Sequence, residues 1–573
     1  MGMGNQNETS INGYKRTWWK EAVVYQIYPR SFRDSNGDGI GDLNGITSSL
    51  DYLAELGVDV LWICPIFDSP NADNGYDIRD YKAIMSDFGT MEDFDRLVKE
   101  AKARGLRILL DLVPNHSSDE HQWFQQGRLS EESPYRDYYI WRQGKDGQPP
   151  NNWVSFFGGS AWEWDDTAQA YYLHLYAKKQ PDLNWGNARV RREIYDIMRY
   201  WMDKGIDGFR MDVIPFISKP VVFEDFPGDF DGDFGAVYAS GPRLHTYIQE
   251  MHDEVMSRYD MFTVGEAAGL TLEQTPLIID ERRRELNVVF QFDAITVDRL
   301  PSYWDWKPWS LPDLKAIYSR YEKVFDKHCW NAIFLGNHDM PRMVSRFASD
   351  EPAFQKQSAK LLATILLTLK GTPFIYQGDE IGMTNFPFES IDQFDDIQAR
   401  NAWKDQVEAG TVSAEDFMDN LIKTSRDHSR TPMQWSDEQY AGFSTVEPWM
   451  AVNPNYPAIN AKKAVDDPDS IYHYIQSLIQ LRSGHLALIY GDYSDVDPDH
   501  NEVFIYTRTI EQEGCLVASN FSKKTLSYKL PEGLIRGRLL LSNHEESVLG
   551  ASDTLQLKPY EVQLWEVKVS ETT

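Results

Sequence analysis

Between residues 22 and 376, short apolar runs alternate with longer amphipathic ones, which restricts the chain to parallel strands joined by crossover helices. The spacing predicts eight strands, at 23–28, 60–63, 107–112, 208–211, 262–265, 287–290, 332–335 and 374–376. Good helices fall between several of them. Residues 91–104 are closed by Gly105 and residues 190–204 by Gly205, where glycine can take the left-handed C-terminal position. Eight such units predict an α/β fold, a closed (β/α)8 TIM barrel.

Two stretches break the rhythm. Residues 116–186, after the third strand, are rich in Trp, Tyr, Gly, Pro and Asn and hold no crossover-length helix, so they form an inserted subdomain overhanging the active-site face. After a helix at 471–482, alternating runs at 503–508, 515–520 and 555–567 predict a C-terminal antiparallel β domain. The expected division is 1–115 with 187–489 for the barrel, 116–186 for the insertion and 490–573 for the β domain.

The chain carries 88 Asp and Glu against 57 Lys and Arg, a net charge of −31 that repels nucleic-acid phosphates and anionic membranes. A neutral small molecule such as a sugar suits it better as a partner. Cys64, Cys329 and Cys515 are too few and too scattered for a disulfide framework or a zinc cluster. No stretch has the length and apolarity of a membrane span or signal peptide, and the expected location is cytoplasmic. The Asp-Gly-rich segment 229–235 reads as a surface loop.

A barrel enzyme keeps its reactive groups at the C-terminal ends of its strands. The third strand ends Asp111-Leu-Val-Pro-Asn115-His116, the fourth Gly208-Phe-Arg210-Met-Asp212, the fifth Val264-Gly-Glu266 and the seventh Gly336-Asn337-His338-Asp339. A single strand-end Asp is commonly a turn former or cap. Several together on one rim supply what glycosidic cleavage needs, one carboxylate for the oxocarbenium-like centre and one acid for the leaving oxygen.

The segments DLVPNH, GFRMD, GEA and NHD, in that order, resemble the four signature regions of the α-amylase superfamily of glycoside hydrolases (family 13). NGYDI at 74–78, KQPDLNW at 179–185, QGDEIGM at 377–383 and RTPMQW at 430–435 resemble the branch of oligo-1,6-glucosidases, α-glucosidases and sucrose isomerases. The resemblance implies a retaining, exo-acting glucosidase with no catalytic cofactor. It implies Asp212 as nucleophile, Glu266 as acid/base and Asp339 as transition-state stabiliser. It further implies that His116 and His338 bond the sugar's hydroxyls, and that Asp77 and Arg426 grip its non-reducing end. Tyr76, Phe156 and Tyr176 offer aromatic faces to the ring, although packing explains the last two nearly as well. Arg210, two residues before Asp212 on one strand, shares its face and can keep the nucleophile ionised, whereas Glu266 must hold a proton.

The loop Asp34-Ser-Asn36-Gly-Asp38-Gly-Ile40-Gly-Asp42 sets oxygen ligands at alternate positions, and in relatives such a loop holds a structural Ca²⁺ or Mg²⁺. Val213 after the nucleophile is the residue found in α-1,6-cleaving members, where Thr is typical of α-1,4 maltases and sucrose isomerases. Pro215 and Met340 depart from the oligo-1,6-glucosidase pattern and leave the second sugar open. The rival activity is sucrose isomerisation, since 281–287 and Phe292-Asp293 resemble that group, although Leu300-Pro301 interrupts its arginine-rich loop. A non-catalytic barrel fits poorly with three intact acids, and a phosphosugar hydrolase with the absence of a basic cluster near the aglycone segments.

Overall fold

In the computed structural model, the described residues are 10–228, 233–239, 241–300, 305–544 and 553–569; most of the 229–235 loop, and Pro301, lie outside them. Eight parallel strands form the central sheet: β1 (Val24–Ile27), β2 (Val60–Ile63), β3 (Arg107–Leu112), β4 (Gly208–Met211), β5 (Phe262–Glu266), β6 (Val288–Phe290), β7 (Ala332–Ile333) and β8 (Thr372–Tyr376). Their order is β6-β5-β4-β3-β2-β1-β8-β7. No ladder joins β6 to β7 among the described residues, and the ring is completed there by side chains, with Phe290 and Phe334 packed edge to face at 4.8 Å.

Alternation along the strands divides the core in two. Val24, Trp62, Leu109, Val264, Phe290 and Phe374 fill the barrel's interior cluster, while Tyr25, Leu61, Leu110 and Phe209 face the helices. Burial on both faces explains why the strands read as continuous apolar runs. Gly208 is obligatory at the start of β4, because a Cβ there would lie 1.9 Å from the Phe262 carbonyl oxygen.

The helices follow their caps. Helix α1 (Met91–Ala103) opens on a Thr90–Asp93 capping box, and α2 (Ala188–Lys204) ends at Gly205 with φ +102°. Strand β7 stops two residues short of the expected 332–335. The tail run 555–567 is two strands in different sheets, Thr554–Leu557 and Val562–Val569, separated at Tyr560 with φ +52°.

The insertion holds one short helix (Gln122–Gly127) and a three-stranded antiparallel sheet of Trp141–Arg142, Ala170–Leu173 and Trp162–Asp165. The C-terminal domain is a five-stranded antiparallel sheet with a two-stranded companion. Unforeseen was an excursion after β8, where Phe386, Phe388, Phe394, Phe417 and Leu421 build a separate small core. It reaches the insertion through Gln398 and Asn401, which donate to the carbonyls of Phe156 and Phe157 at 3.2 and 2.9 Å. No helix among the described residues is long and apolar enough to cross a membrane.

Candidate active site

The strand-end carboxylates converge on one guanidinium. Arg210 Nη1 donates to Asp111 Oδ1 at 2.6 Å and Asp212 Oδ1 at 2.8 Å, and Nη2 donates to Glu266. The Trp62 and Tyr76 rings flank it, 5.4 and 5.8 Å from its central carbon. The Arg210 side chain is only 3% exposed, so its charge acts in a poorly screened setting. Because the two terminal nitrogens of one planar group hold Asp212 and Glu266, these carboxylates are neighbours. A retaining pair needs such neighbours, about 5–5.5 Å apart. Burial pushes the Asp212 pKa up, Arg210 opposes this, and the Glu266 and Asp111 charges add to the rise. Asp111 is lifted by burial to about 6, against the pull of Arg210.

Backbone geometry joins the acids as well. Val213 sits in the left-handed region at φ +35° and ψ +43°, a strained state for a β-branched residue costing on the order of 1–3 kcal/mol. In that conformation its N–H points at Glu266 Oε2, 3.3 Å away. Its side chain joins an apolar cluster with Phe216, Phe156 and Tyr176. Phe156 stacks on Tyr176 at 5.0 Å and on Phe216 at 5.4 Å, so this aromatic wall is packed and also faces the acids' rim.

Asp339 lies opposite, paired with Arg430 at 2.8 Å and Arg426 at 3.2 Å. Burial works to raise its pKa, but the cationic surroundings win and hold it well below the usual carboxylate range. His338 Nε2 is 3.1 Å from Asp339, yet burial drops the imidazole pKa to about 3, so at neutral pH the ring is uncharged and the guanidiniums do the lowering. Gln26 Nε2 lies 2.8 Å from His338 Nδ1; with the amide donating, the ring proton sits on Nε2, beside the Tyr76 hydroxyl at 2.7 Å. His116, lowered by burial to about 4, is bracketed by Asn115 and Gln180, each at 3.1 Å.

Asp77 and Arg426, expected to grip the sugar's non-reducing end, do not pair with each other among the described residues. The Asp77 carboxylate accepts from Ser69 Oγ, Ala72 N and Asp73 N at 2.9–3.0 Å, three bonds that fold its own turn. Arg426 instead meets Asp73 at 3.6 Å, Asp339 at 3.2 Å and Asp396 at 2.6 Å. Asp73 also accepts from Gln180 Nε2 at 2.9 Å, and burial raises it to about 7 against Arg426. Sequence reasoning missed Asp73, although it stands one residue before the quoted NGYDI. It gave no role to Asp111, a visible strand end, or to Asp396, which arrives from the unforeseen excursion.

The Asp34–Asp42 loop divides. Asp34, Asn36 and Asp38 line an exposed turn in which side-chain oxygens accept from backbone N–H groups two or more residues on. Asp42 accepts from Ser35 N, Ser35 Oγ and Gly45 N, capping the helix Leu43–Ser48. Carboxylate and amide oxygens keep further lone pairs, so the hard-donor set suits Ca²⁺ or Mg²⁺, with Asp42 its most committed member.

This barrel, with acids on its C-terminal rim and an overhanging insertion after β3, defines a retaining-type glycoside hydrolase. Residues 26–491 match the α-amylase catalytic domain model, and residues 503–562 match the C-terminal domain model of the α-amylase SusG. The chain belongs to the α-amylase family of glycoside hydrolases. It is 51% identical to an oligo-1,6-glucosidase of Halalkalibacterium halodurans, over 96% of this chain and 98% of that one. It is 49% identical to an oligo-1,6-glucosidase of Bacillus cereus, over 97% and 100%. The isomaltulose synthase structure from Erwinia rhapontici NX5 superimposes with a TM-score of 0.95 at 49% identity, over 96% of this chain and 99% of that one.

Proposed function

We propose that this enzyme hydrolyses terminal α-glucosidic bonds of short oligosaccharides, α-1,6 bonds foremost, by double displacement with retention. The carrying observation is the single guanidinium of Arg210 bonded to both Asp212 and Glu266. Asp212 attacks the anomeric carbon while Glu266 gives its proton to the glycosidic oxygen, and the carbon–oxygen bond breaks. Water then attacks the resulting β-glucosyl ester, Glu266 takes its proton and Asp212 is released. Asp339 and the neutral His116 and His338 bond the distorted ring's hydroxyls. The Asp73–Arg426–Asp396 group supports exo action, because a charged cluster there would stop the pocket beyond one glucose unit.

The oligo-1,6-glucosidase relatives and Val213 support the α-1,6 reading. Sucrose isomerisation is the second reading, favoured by the similarity to isomaltulose synthase. Incubation with isomaltose and with sucrose, followed by product NMR, separates them: α-glucose released first from isomaltose supports hydrolysis, and isomaltulose or trehalulose as the main product overturns it. Val213→Thr should move the α-1,6 to α-1,4 ratio by about tenfold, since one hydroxyl at a subsite is worth ~1–3 kcal/mol.

A structural divalent cation in the loop of Asp34, Asn36, Asp38 and the Ile40 carbonyl, with Asp42, is part of the proposal. Chelation should lower Tm and leave the chemistry at Asp212 intact once Ca²⁺ returns. A cytoplasmic setting is supported by three buried cysteines, all free thiols.

A further inference from the structure

Away from the catalytic rim, a cavity of about 600 Å³ opens between the inserted subdomain and the segment after β4. Arg136, Trp141 and Arg142 line one side, and Lys219, Phe223 and Arg243 the other. Lys219 is committed, bonded to Asp182 at 2.5 Å and Asn115 at 2.6 Å. The arginines are not. Among the described residues Arg142 donates to the Trp141 carbonyl alone, and Arg136 to the Ala168 carbonyl at 3.5 Å, with its Nη1 buried and unpartnered. The Arg243 side chain has no ion pair or hydrogen bond among the described residues; its backbone N–H is engaged by Ser218 and its carbonyl by Tyr247 N.

Two of these guanidiniums lie against aromatic rings. Arg136 lies 4.2 Å over Trp141 and Arg142 lies 5.0 Å over Phe223. A guanidinium over an aromatic face can still donate from its N–H edges, the groups that bind phosphate oxygens in pairs. Glu131 and Asp137 also line the cavity, and such carboxylates accept from hydroxyls. In a chain of net charge −31, three guanidiniums with no ion pair within 4 Å among the described residues line one cavity, which suits an anion, and the acids Glu131 and Asp137, whose charges also act on Arg136, suit a polyol. The volume lies in the range of small-molecule sites and exceeds what bare phosphate fills.

We propose that this cavity is a second ligand site, separate from the catalytic pocket, that takes a sugar phosphate. Its phosphate is held by Arg136, Arg142 and Arg243, and its hydroxyls by Glu131 and Asp137. Isothermal titration at low salt with glucose 6-phosphate, glucose and inorganic phosphate tests it. Glucose 6-phosphate should bind saturably and stay bound in excess glucose, which competes only in the catalytic pocket. Inorganic phosphate should bind at least about tenfold more weakly. Arg243→Gln, an exposed change that does not threaten folding, should weaken glucose 6-phosphate by about tenfold, the worth of one charge-assisted hydrogen bond, with isomaltose hydrolysis unchanged. Arg136→Gln should do so more strongly. Displacement by glucose, unaltered affinity in Arg243→Gln, or inorganic phosphate binding as tightly as the sugar phosphate would each overturn the assignment.

Discussion

At the scale of single residues, Arg210 sets the protonation of the rim. Its cation opposes the burial that raises Asp212. A nucleophile with a raised pKa must lose its proton to act, so the acid limb of kcat/KM should lie above the ordinary carboxylate range near 4. In Arg210→Met the opposing charge is gone, the Asp212 pKa rises further, and the limb should move about one unit or more to higher pH while kcat falls by about 10²-fold or more. A pH–rate profile of both proteins checks this; an unmoved limb would detach Arg210 from Asp212's titration. His116 and His338, neutral above about pH 4 and 3, leave that limb to the acids. The neighbouring carboxylates Asp73 and Asp77 should separate cleanly. Asp73→Asn is expected to reduce kcat/KM for isomaltose by about tenfold or more at nearly unchanged Tm. Asp77→Asn, which weakens three internal hydrogen bonds, should lower Tm. Both acids stand in one short turn, and which points inward depends on the fold of residues 69–77, so the sequence could name the turn but not the residue.

At the scale of elements, the strands were readable because burial on both faces makes their apolar runs continuous and sets each reactive residue directly after one. Residue 208 shows how tightly β4 and β5 are joined. Gly208→Ala would drive a methyl into the Phe262 carbonyl at a φ of +148°, and with rigid backbone on both sides the loss should reach about 3 kcal/mol. Soluble yield and Tm should both collapse; a wild-type Tm would mean that the strands separate more readily than their ladder suggests. The excursion carrying Asp396 was hidden for the opposite reason. Its helices, Ile397–Trp403 and Ala414–Thr424, pack on a private core, so their apolar residues carry no barrel rhythm. Its contacts with the insertion through Gln398 and Asn401, and with Arg426 through Asp396, tie it to the site.

At the scale of the whole molecule, charge and closure matter most. With a net charge of −31 the folded chain repels itself, and at 0.01 M salt that repulsion reaches across about 30 Å. Raising NaCl from 0.01 to 0.5 M at pH 7 should therefore raise Tm by several degrees in differential scanning fluorimetry; a fall would mean that screening mainly weakens exposed ion pairs such as Arg320–Glu273. The ring's one break has a consequence of its own. Between β6 and β7 the Phe290–Phe334 contact replaces a ladder, so the barrel resembles a belt held by a buckle. Amide hydrogens along those two edges should exchange with solvent before those of β2, β3 and β4, and a heated barrel should come undone from the buckle outward.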